Sequence, residues 1–310
     1  MRLKGSLSAY PVSSKIFVTA GIMLVMMVFS YLFGGLICIW VSGINVFDNA
    51  AALNDFKNPQ VMLCLKILQL FYSTFTFAIS ALLCGFLFDD SAKHYLSLKW
   101  PKAKLLLPAV LFSVVAIPLI NALGEWNTQL HLPASMQSIE TWMRNTETQA
   151  SQLTDALLIN PSLAVLVNNL ILVAFIPAAG EELMFRGVFQ KLITGATKNI
   201  HAGVIITAVL FSAFHMQFLG FIPRMIIGVA FGYMLVWSNS LWLPVAAHFV
   251  NNAITVLLFY YAQFNTDSET LQNLGSHQNE WPIVLASSLV TVALLVLIYF
   301  LSDKKQSSLE

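Results

Sequence analysis

Residues 16–42 read IFVTAGIMLVMMVFSYLFGGLICIWVS and contain no charged side chain. A helix that crosses a bilayer needs about 20 mainly apolar residues, so this stretch is long enough to span one. It is too long for the apolar core of a signal peptide, and no small-residue cleavage site follows it. The stretch therefore predicts a retained transmembrane helix.

Similar apolar stretches recur along the chain, and together they predict about eight transmembrane helices. The others are residues 61–88, 104–123, 162–190, 200–220, 223–238, 241–263 and 281–302. Helix is the expected conformation because a lipid-exposed backbone must satisfy its own hydrogen bonds. We predict an all-α polytopic membrane bundle that forms a single integral membrane domain over residues 1–310.

The composition supports a membrane protein and excludes other classes. Apolar residues make up 57% of the chain and charged residues 10%, with a mean hydropathy of +0.74, whereas soluble domains carry about 25% charged residues. The 16 basic and 15 acidic residues nearly cancel, which leaves no electrostatic footprint for nucleic acid. Cys38, Cys64 and Cys84 lie in apolar runs, so no disulfide framework is expected.

Basic residues are distributed unevenly between alternate loops, and this predicts the orientation of the chain. One set of loops carries eleven: Arg2, Lys4, Lys15, Lys93, Lys99, Lys102, Lys104, Lys191, Lys198, Lys304 and Lys305. The other set carries Lys57, Arg144 and Arg224. The first set is expected to be cytoplasmic, so both termini are predicted to lie in the cytoplasm.

Residues 135–157 interrupt the apolar pattern with an amphipathic period. Trp142 and Leu153 fall on one helical face, whereas Glu140, Arg144 and Glu147 fall on the other. The segment lacks the basic face of an anionic-lipid sensor. It is interpreted as an interfacial helix on the outer side that connects two spans.

Ionisable residues within apolar segments are expensive, at about 2.5–3.5 kcal/mol for a charge at the centre of a helix. Three segments contain nearly all of those expected at depth. These residues are Glu181, Glu182 and Arg186 in the fourth span, His215 in the fifth, and His248 with Asn251 and Asn252 in the seventh. Such a concentration requires a structural or functional reason.

Helical spacing separates the two glutamates. Glu182 and Arg186 are four residues apart and lie on one face, so they are expected to form an ion pair. Glu181 is rotated about 140° from Arg186 and points elsewhere, which leaves its carboxylate available as a general base. Pro177 and Gly180 precede the pair and are expected to kink or loosen the helix.

Residue spacing also predicts a shared pocket. His248 and Asn252 are four apart and lie on one face. Counted from the predicted cytoplasmic ends, Glu181 lies at about 15 Å, His248 at about 12 Å and His215 at about 21 Å. We therefore expect a polar cavity that opens toward the cytoplasm, with His215 deeper than the other two.

These side chains suit hydrolysis of an amide without a nucleophilic side chain. A carboxylate can deprotonate water, a histidine can share the proton, and a second histidine with an amide can donate hydrogen bonds to an oxyanion. A zinc site with two histidines and one glutamate is an alternative, although no HExxH motif occurs. The residues alone also admit structural ion pairing or a proton pathway.

Three motifs in order resemble a known family. Glu181 to Arg186 (EELMFR) matches EExxxR, Phe211 to His215 (FSAFH) matches FxxxH, and His248 to Asn252 (HFVNN) matches HxxxN. The last follows residues 239–244, NSLWLP. The chain thereby resembles the CPBP family of CAAX proteases and bacteriocin-processing enzymes, also called the Abi family, over about residues 160–255.

This resemblance implies an intramembrane endopeptidase of the glutamate type, with a catalytic core at about 160–255. Glu181 would activate water with help from His215, His248 and Asn252 would form the oxyanion site, and Glu182 and Arg186 would support them. No metal or other cofactor is predicted. The expected substrate is a peptide or protein, lipid-modified or membrane-associated, and the expected location is a prokaryotic inner membrane.

Two other functions stay open at this point. Some relatives of the family are scaffolds or bacteriocin-immunity factors that need no cleavage, and a proton-coupled transporter would also bury acids and imidazoles. A transporter needs a polar path that reaches both faces of the membrane, whereas a protease needs a pocket open to one.

Overall fold

A computed structural model describes residues 3–48, 53–158, 161–265 and 272–302 of the chain. Within these ranges the regular structure is helical. Arg2, Lys304 and Lys305, which contribute to the predicted orientation, lie outside the described residues.

The helices follow the predicted apolar stretches closely, and the prediction of an all-α membrane bundle is confirmed. In chain order they are α1 Val12–Ser42, α2 Pro59–Phe88, α3 Ala92–Tyr95, α4 Ala103–Val115, α5 Ile117–Thr128, α6 Gln137–Leu158, α7 Leu163–Thr197, α8 Ile200–Phe214, α9 Phe221–Ser238, α10 Trp242–Ala262 and α11 Trp281–Leu301.

Six of the described helices are long and apolar enough to cross a membrane by themselves. The third predicted span is instead the pair α4 and α5, which meet at a bend of 42° where Pro118 occupies the first turn of α5. The fifth predicted span is the short apolar helix α8. The prediction of about eight spans therefore agrees with the structure, although two of the segments are not simple spanning helices.

Of the kink or loosening predicted near Gly180, the structure shows local widening of the helix on either side. A π-helical turn at Leu170–Phe175 precedes a regular stretch that begins at Ile176, and a second π-helical turn follows at Phe185–Phe189. At Gly180 a Cβ atom would lie 3.0 Å from the backbone oxygen of Ser73. The glycine thus permits α7 to approach α2 closely at the position just before Glu181.

Two further glycines bring α9 against the core. A Cβ atom on Gly228 would lie 3.2 Å from the Cβ of Ala208 and 3.3 Å from the Arg186 guanidinium. One on Gly232 would lie 2.9 Å from Val204 on α8. The Gly228–Gly232 spacing therefore serves helix packing within the chain.

The chain crosses back and forth between two ends of the bundle. Helices α7 and α9 finish at the end that carries Lys93, Lys99, Lys102, Lys104, Lys191 and Lys198, and this is called the lysine-rich end. Helix α8 finishes at the opposite end, which is crossed by the amphipathic helix and is called the α6 end. Gln263, just after α10, donates to the carbonyl oxygen of Leu158 at the end of α6, at 3.4 Å.

Candidate functional site

A buried ion pair lies at the centre of the site. The Arg186 Nη1 donates to Glu182 Oε1 at 2.7 Å, and both side chains are completely buried. The second terminal nitrogen of Arg186 donates to the carbonyl oxygen of Gly228 at 3.1 Å. The predicted pairing of Glu182 with Arg186 is therefore present in the structure.

Aromatic rings enclose the guanidinium of Arg186. Its central carbon lies 4.4 Å from the ring centroid of Phe211 and 5.7 Å from that of Phe231. The faces of aromatic rings attract cations, and this attraction strengthens when water is excluded. The two rings therefore help to compensate the arginine for its lost hydration.

The ion pair also orients a histidine, which the sequence spacing did not predict. The Nδ1 atom of His248 lies 2.9 Å from Glu182 Oε1, the same oxygen that Arg186 contacts. A carboxylate held by an arginine only accepts hydrogen bonds, so Nδ1 must carry the proton. In the neutral imidazole, the Nε2 atom of His248 therefore has its lone pair free.

A backbone carbonyl orients the second histidine in the same way. The Nδ1 atom of His215 lies 2.8 Å from the carbonyl oxygen of Phe211, one turn back along α8. Because a carbonyl oxygen only accepts, Nδ1 of His215 carries the proton and Nε2 does not. The ring is thereby folded back toward the start of its helix.

Both free Nε2 atoms point toward Glu181. Its Oε2 atom lies 3.8 Å from Nε2 of His215 and 3.8 Å from Nε2 of His248. These separations exceed those of direct hydrogen bonds, so contact between the groups requires a bridging molecule. The side chains are 13% exposed for Glu181, 27% for His215 and 5% for His248.

Asn252 lies one turn beyond His248 on α10 and is half-buried. Its Oδ1 atom accepts a hydrogen bond from Asn251 Nδ2 at 3.5 Å. This leaves the Nδ2 group of Asn252 available as a donor. The structure thus brings Glu181, His215 and His248 together and places Asn252 on the helix that carries His248.

Among the ranges that the structure describes, no group of three or more His, Cys, Asp or Glu side chains is arranged to hold a metal ion.

A hydrogen-bonded cluster near the site, formed by Glu147, Gln217, Leu219 and Arg224, was not predicted from the sequence. Arg224, which the charge pattern assigned to a loop, lies in the first turn of α9 and donates to the carbonyl and side-chain oxygens of Gln217, each at 3.1 Å. Glu147 of α6 accepts from the backbone nitrogen of Leu219 at 3.2 Å. These hydrogen bonds hold residues 217–219, the turn that follows His215, in place. The only sequence signal of the cluster was a lone arginine at the start of an apolar segment.

Arg224 also belongs to the electrostatic surroundings of the site. It interacts with both Glu147 and Glu181. A basic residue within reach of the candidate general base was not predicted, because α9 carried no recognised motif.

An apolar cavity of about 530 Å³ lies between α1, α2 and α6. Its walls include Leu65, Leu68 and Tyr72 of α2 and Leu153 of α6. The backbone oxygen of the next residue, Ser73, lies 3.0 Å from where a Cβ atom of Gly180 would be, directly before Glu181. The wall of the cavity that Tyr72 forms is therefore next to the part of α7 that leads to Glu181.

Comparisons with known proteins concern the second half of the chain. The model of the Rce1-like family, type II CAAX prenyl endopeptidases, matches residues 163–254. An uncharacterized protein of Bacillus subtilis (strain 168), YpbD, is 29% identical over 92 residues, which cover 28% of this chain and 44% of that relative. No solved structure gives a significant match.

The match spans less than half of the Bacillus subtilis relative. The family-model match covers all three motifs and helices α7 to α10, up to residue 254. The resemblance to the CAAX-protease family that was predicted from those motifs is confirmed over this region.

Proposed function

We propose that this chain is an intramembrane endopeptidase that uses a glutamate-activated water, because residues 163–254 match the model of the Rce1-like family. The observation that carries the proposal is the convergence of His215 Nε2 and His248 Nε2 on Glu181 Oε2, each at 3.8 Å. Three groups capable of proton transfer on three different helices thus share one partly exposed point within an apolar bundle.

In the proposed reaction, a water molecule binds between Glu181 and the two imidazoles. Glu181, with help from His215, removes a proton from the water as its oxygen attacks the carbonyl carbon of the peptide bond. Negative charge then develops on the former carbonyl oxygen. The proton passes to the amide nitrogen, the C–N bond breaks, and a carboxylic acid and an amine are released.

The oxyanion is stabilised by donors on α10 in this scheme. Asn252 supplies an amide N–H group. Since Glu182 fixes the Nδ1 proton of His248, Nε2 can donate only when the imidazole is protonated. His248 therefore takes up a proton from solvent before the tetrahedral intermediate forms and returns it to solvent after the products leave, and Glu182 stabilises the cation meanwhile.

The proposed substrate is a membrane-associated peptide or protein. The apolar cavity of about 530 Å³ that reaches Tyr72 can accommodate an apolar side chain or an attached lipid. The excess of basic residues in alternate loops supports cytoplasmic termini in this proposal, and the proposed location is a prokaryotic inner membrane. Residues of about 160–255 form the catalytic core of this proposal.

A comparison of peptides from membranes tests the activity. Membranes that contain the protein are compared with those that contain Glu181→Gln, and Glu125→Gln, an exposed carboxylate of α5, serves as the matched control. Products of cleavage should fall about 10²–10⁴-fold with Glu181→Gln, which is the usual contribution of a general base. They should be unchanged with Glu125→Gln.

The alternatives predict a different result. A scaffold or immunity factor keeps its phenotype in a folded and inserted Glu181→Gln variant. Equal peptide products from the two membranes would overturn the proposal of an endopeptidase.

A further inference from the structure

The two ends of the bundle differ in how they close around the candidate site. From Glu181 toward the lysine-rich end, α7 carries Glu182 and Arg186, each 0% exposed, and then Gln190, 4% exposed. Helix α9 contributes Phe231 and Met234 to the same level, both 0% exposed. Tightly packed side chains therefore fill the space between the site and this end.

A loop segment adds a second seal at the lysine-rich end. Leu96 is 0% exposed, and its Cδ2 atom lies 3.0 Å from where a Cβ atom of Gly187 would be. Leu241 donates its backbone N–H to the carbonyl oxygen of Ser97 at 3.0 Å. Lys191 also donates to Tyr95 O and Ser97 Oγ. The segment after α2 is thus fastened across the ends of α7 and α9.

The opposite direction is more open. His215 lies at the α6 end of α8 with 27% of its side chain exposed, and Glu181 is 13% exposed. On α10, His248 is buried, but Asn251 and Asn252 beyond it are half-buried. Exposure of the polar groups thus increases from the lysine-rich end toward the α6 end.

The apolar cavity lies in the same half of the bundle. Its wall includes Tyr31 of α1, whose hydroxyl donates to the carbonyl oxygen of Val46, beyond the end of α1 that is remote from the lysine-rich end. Leu153 of α6 closes it from another side. An apolar group in this cavity would therefore enter beside α6.

From these observations we infer that water and the peptide reach Glu181 from the α6 end, with α6 as one wall of the entrance. This is opposite to the opening at the lysine-rich side that the helical depths predicted. The inference rests on the proposed function only in identifying the entering molecule as a peptide. The direction of entry itself depends on packing and can be measured without any cleavage.

Labelling of single introduced cysteines tests the direction. Asn252→Cys reports on the site, Gln149→Cys on the exposed surface of α6, and Ala196→Cys on the lysine-rich end. The native residues Cys38, Cys64 and Cys84 are each 0% exposed, so their background should be low. The probe is a charged maleimide that does not cross membranes, applied to sealed vesicles of each orientation.

We expect Asn252→Cys to react in the vesicle orientation in which Gln149→Cys reacts, at least tenfold faster than in the orientation that exposes Ala196→Cys. His215→Cys is a second probe if Asn252→Cys does not fold, as judged by size-exclusion profile. Reaction with the Ala196→Cys orientation, equal reaction in both, or reaction in neither would overturn the inference. A protein that cleaves nothing can still give the expected labelling pattern. Failure of the proposed function is therefore distinguishable from failure of the inferred direction of entry.

Discussion

Two clusters in this molecule have the same three residue types in the same arrangement. In the core, Glu182 pairs with Arg186 four residues later and contacts Nδ1 of His248 at 2.9 Å. At the surface, Glu140 pairs with Arg144 four residues later and contacts Nδ1 of His131 at 2.8 Å. The clusters thus differ in environment rather than in pairing.

The difference in environment determines what each cluster can do. Glu182 and Arg186 are 0% exposed, whereas the side chain of His131 is 71% exposed. Water around the surface cluster can replace any lost partner, but no such replacement exists in the core. In addition, the far side of the His248 ring faces Glu181. A shared sequence pattern therefore predicts contacts but does not by itself predict function.

Replacing the two histidines should give the largest contrast. His248→Ala should lower the rate of peptide cleavage about 10²–10⁴-fold, because it removes a proposed donor to the oxyanion. His131→Ala should leave the rate unchanged. Both are measured with a peptide product identified from the wild-type membranes. Equal loss in the two variants would mean that the core cluster has no special part in the reaction.

Removing one carboxylate from each cluster should give the next largest effect. Glu182→Gln leaves the Arg186 cation buried without its counter-ion, which should lower the free energy of unfolding by about 3–5 kcal/mol. Glu140→Gln should have a much smaller effect, because its partners remain hydrated. Unfolding in detergent micelles with increasing dodecyl sulfate measures both.

A double variant checks the cause of that loss. Glu182→Gln combined with Arg186→Met removes both charges and should recover part of the lost stability, since no unpaired ion remains buried. A double variant no more stable than Glu182→Gln alone would attribute the loss to packing instead.

The smallest expected effect is on the thermal stability at acidic pH. The hydrogen bonds from His131, from the backbone of Leu132 and from Arg144 lower the pKa of Glu140 from 4.5 to about 2. A depressed pKa stabilises the fold above the unfolded value and loses that contribution as the pH falls from about 4.5 through 2. The thermal midpoint should therefore fall over this range, and fall less in Glu140→Gln. Identical pH profiles would contradict the assignment.

Much of the fold and part of the site could be predicted from the sequence, because the physical signals were local. Apolar length predicted the helices, and the four-residue spacing predicted the pairing of Glu182 with Arg186. The contact of Glu182 with His248 depends on how α7 and α10 cross, which no local pattern specifies. The positions of Arg224 and Glu147 near the site were not predicted for the same reason.

The depth of His215 shows how side-chain direction can offset a backbone estimate. Spacing placed this residue about 6 Å deeper than Glu181. Helix α8 begins at Ile200 as expected, so a later start of the helix does not explain why His215 still lies close to Glu181. Instead, the ring folds back to the carbonyl of Phe211, and one helical turn amounts to about 5.4 Å.

The shortness of α8 has a consequence for the surrounding lipid. Its 15 residues rise about 22 Å, compared with about 30 Å of hydrocarbon in an ordinary bilayer. The bilayer beside α8 must become thinner, or neighbouring parts of the protein must cover the hydrocarbon thickness that α8 does not span. Because His215 lies at the end of this helix, we expect a change in membrane thickness to act on the wall of the site that α8 forms.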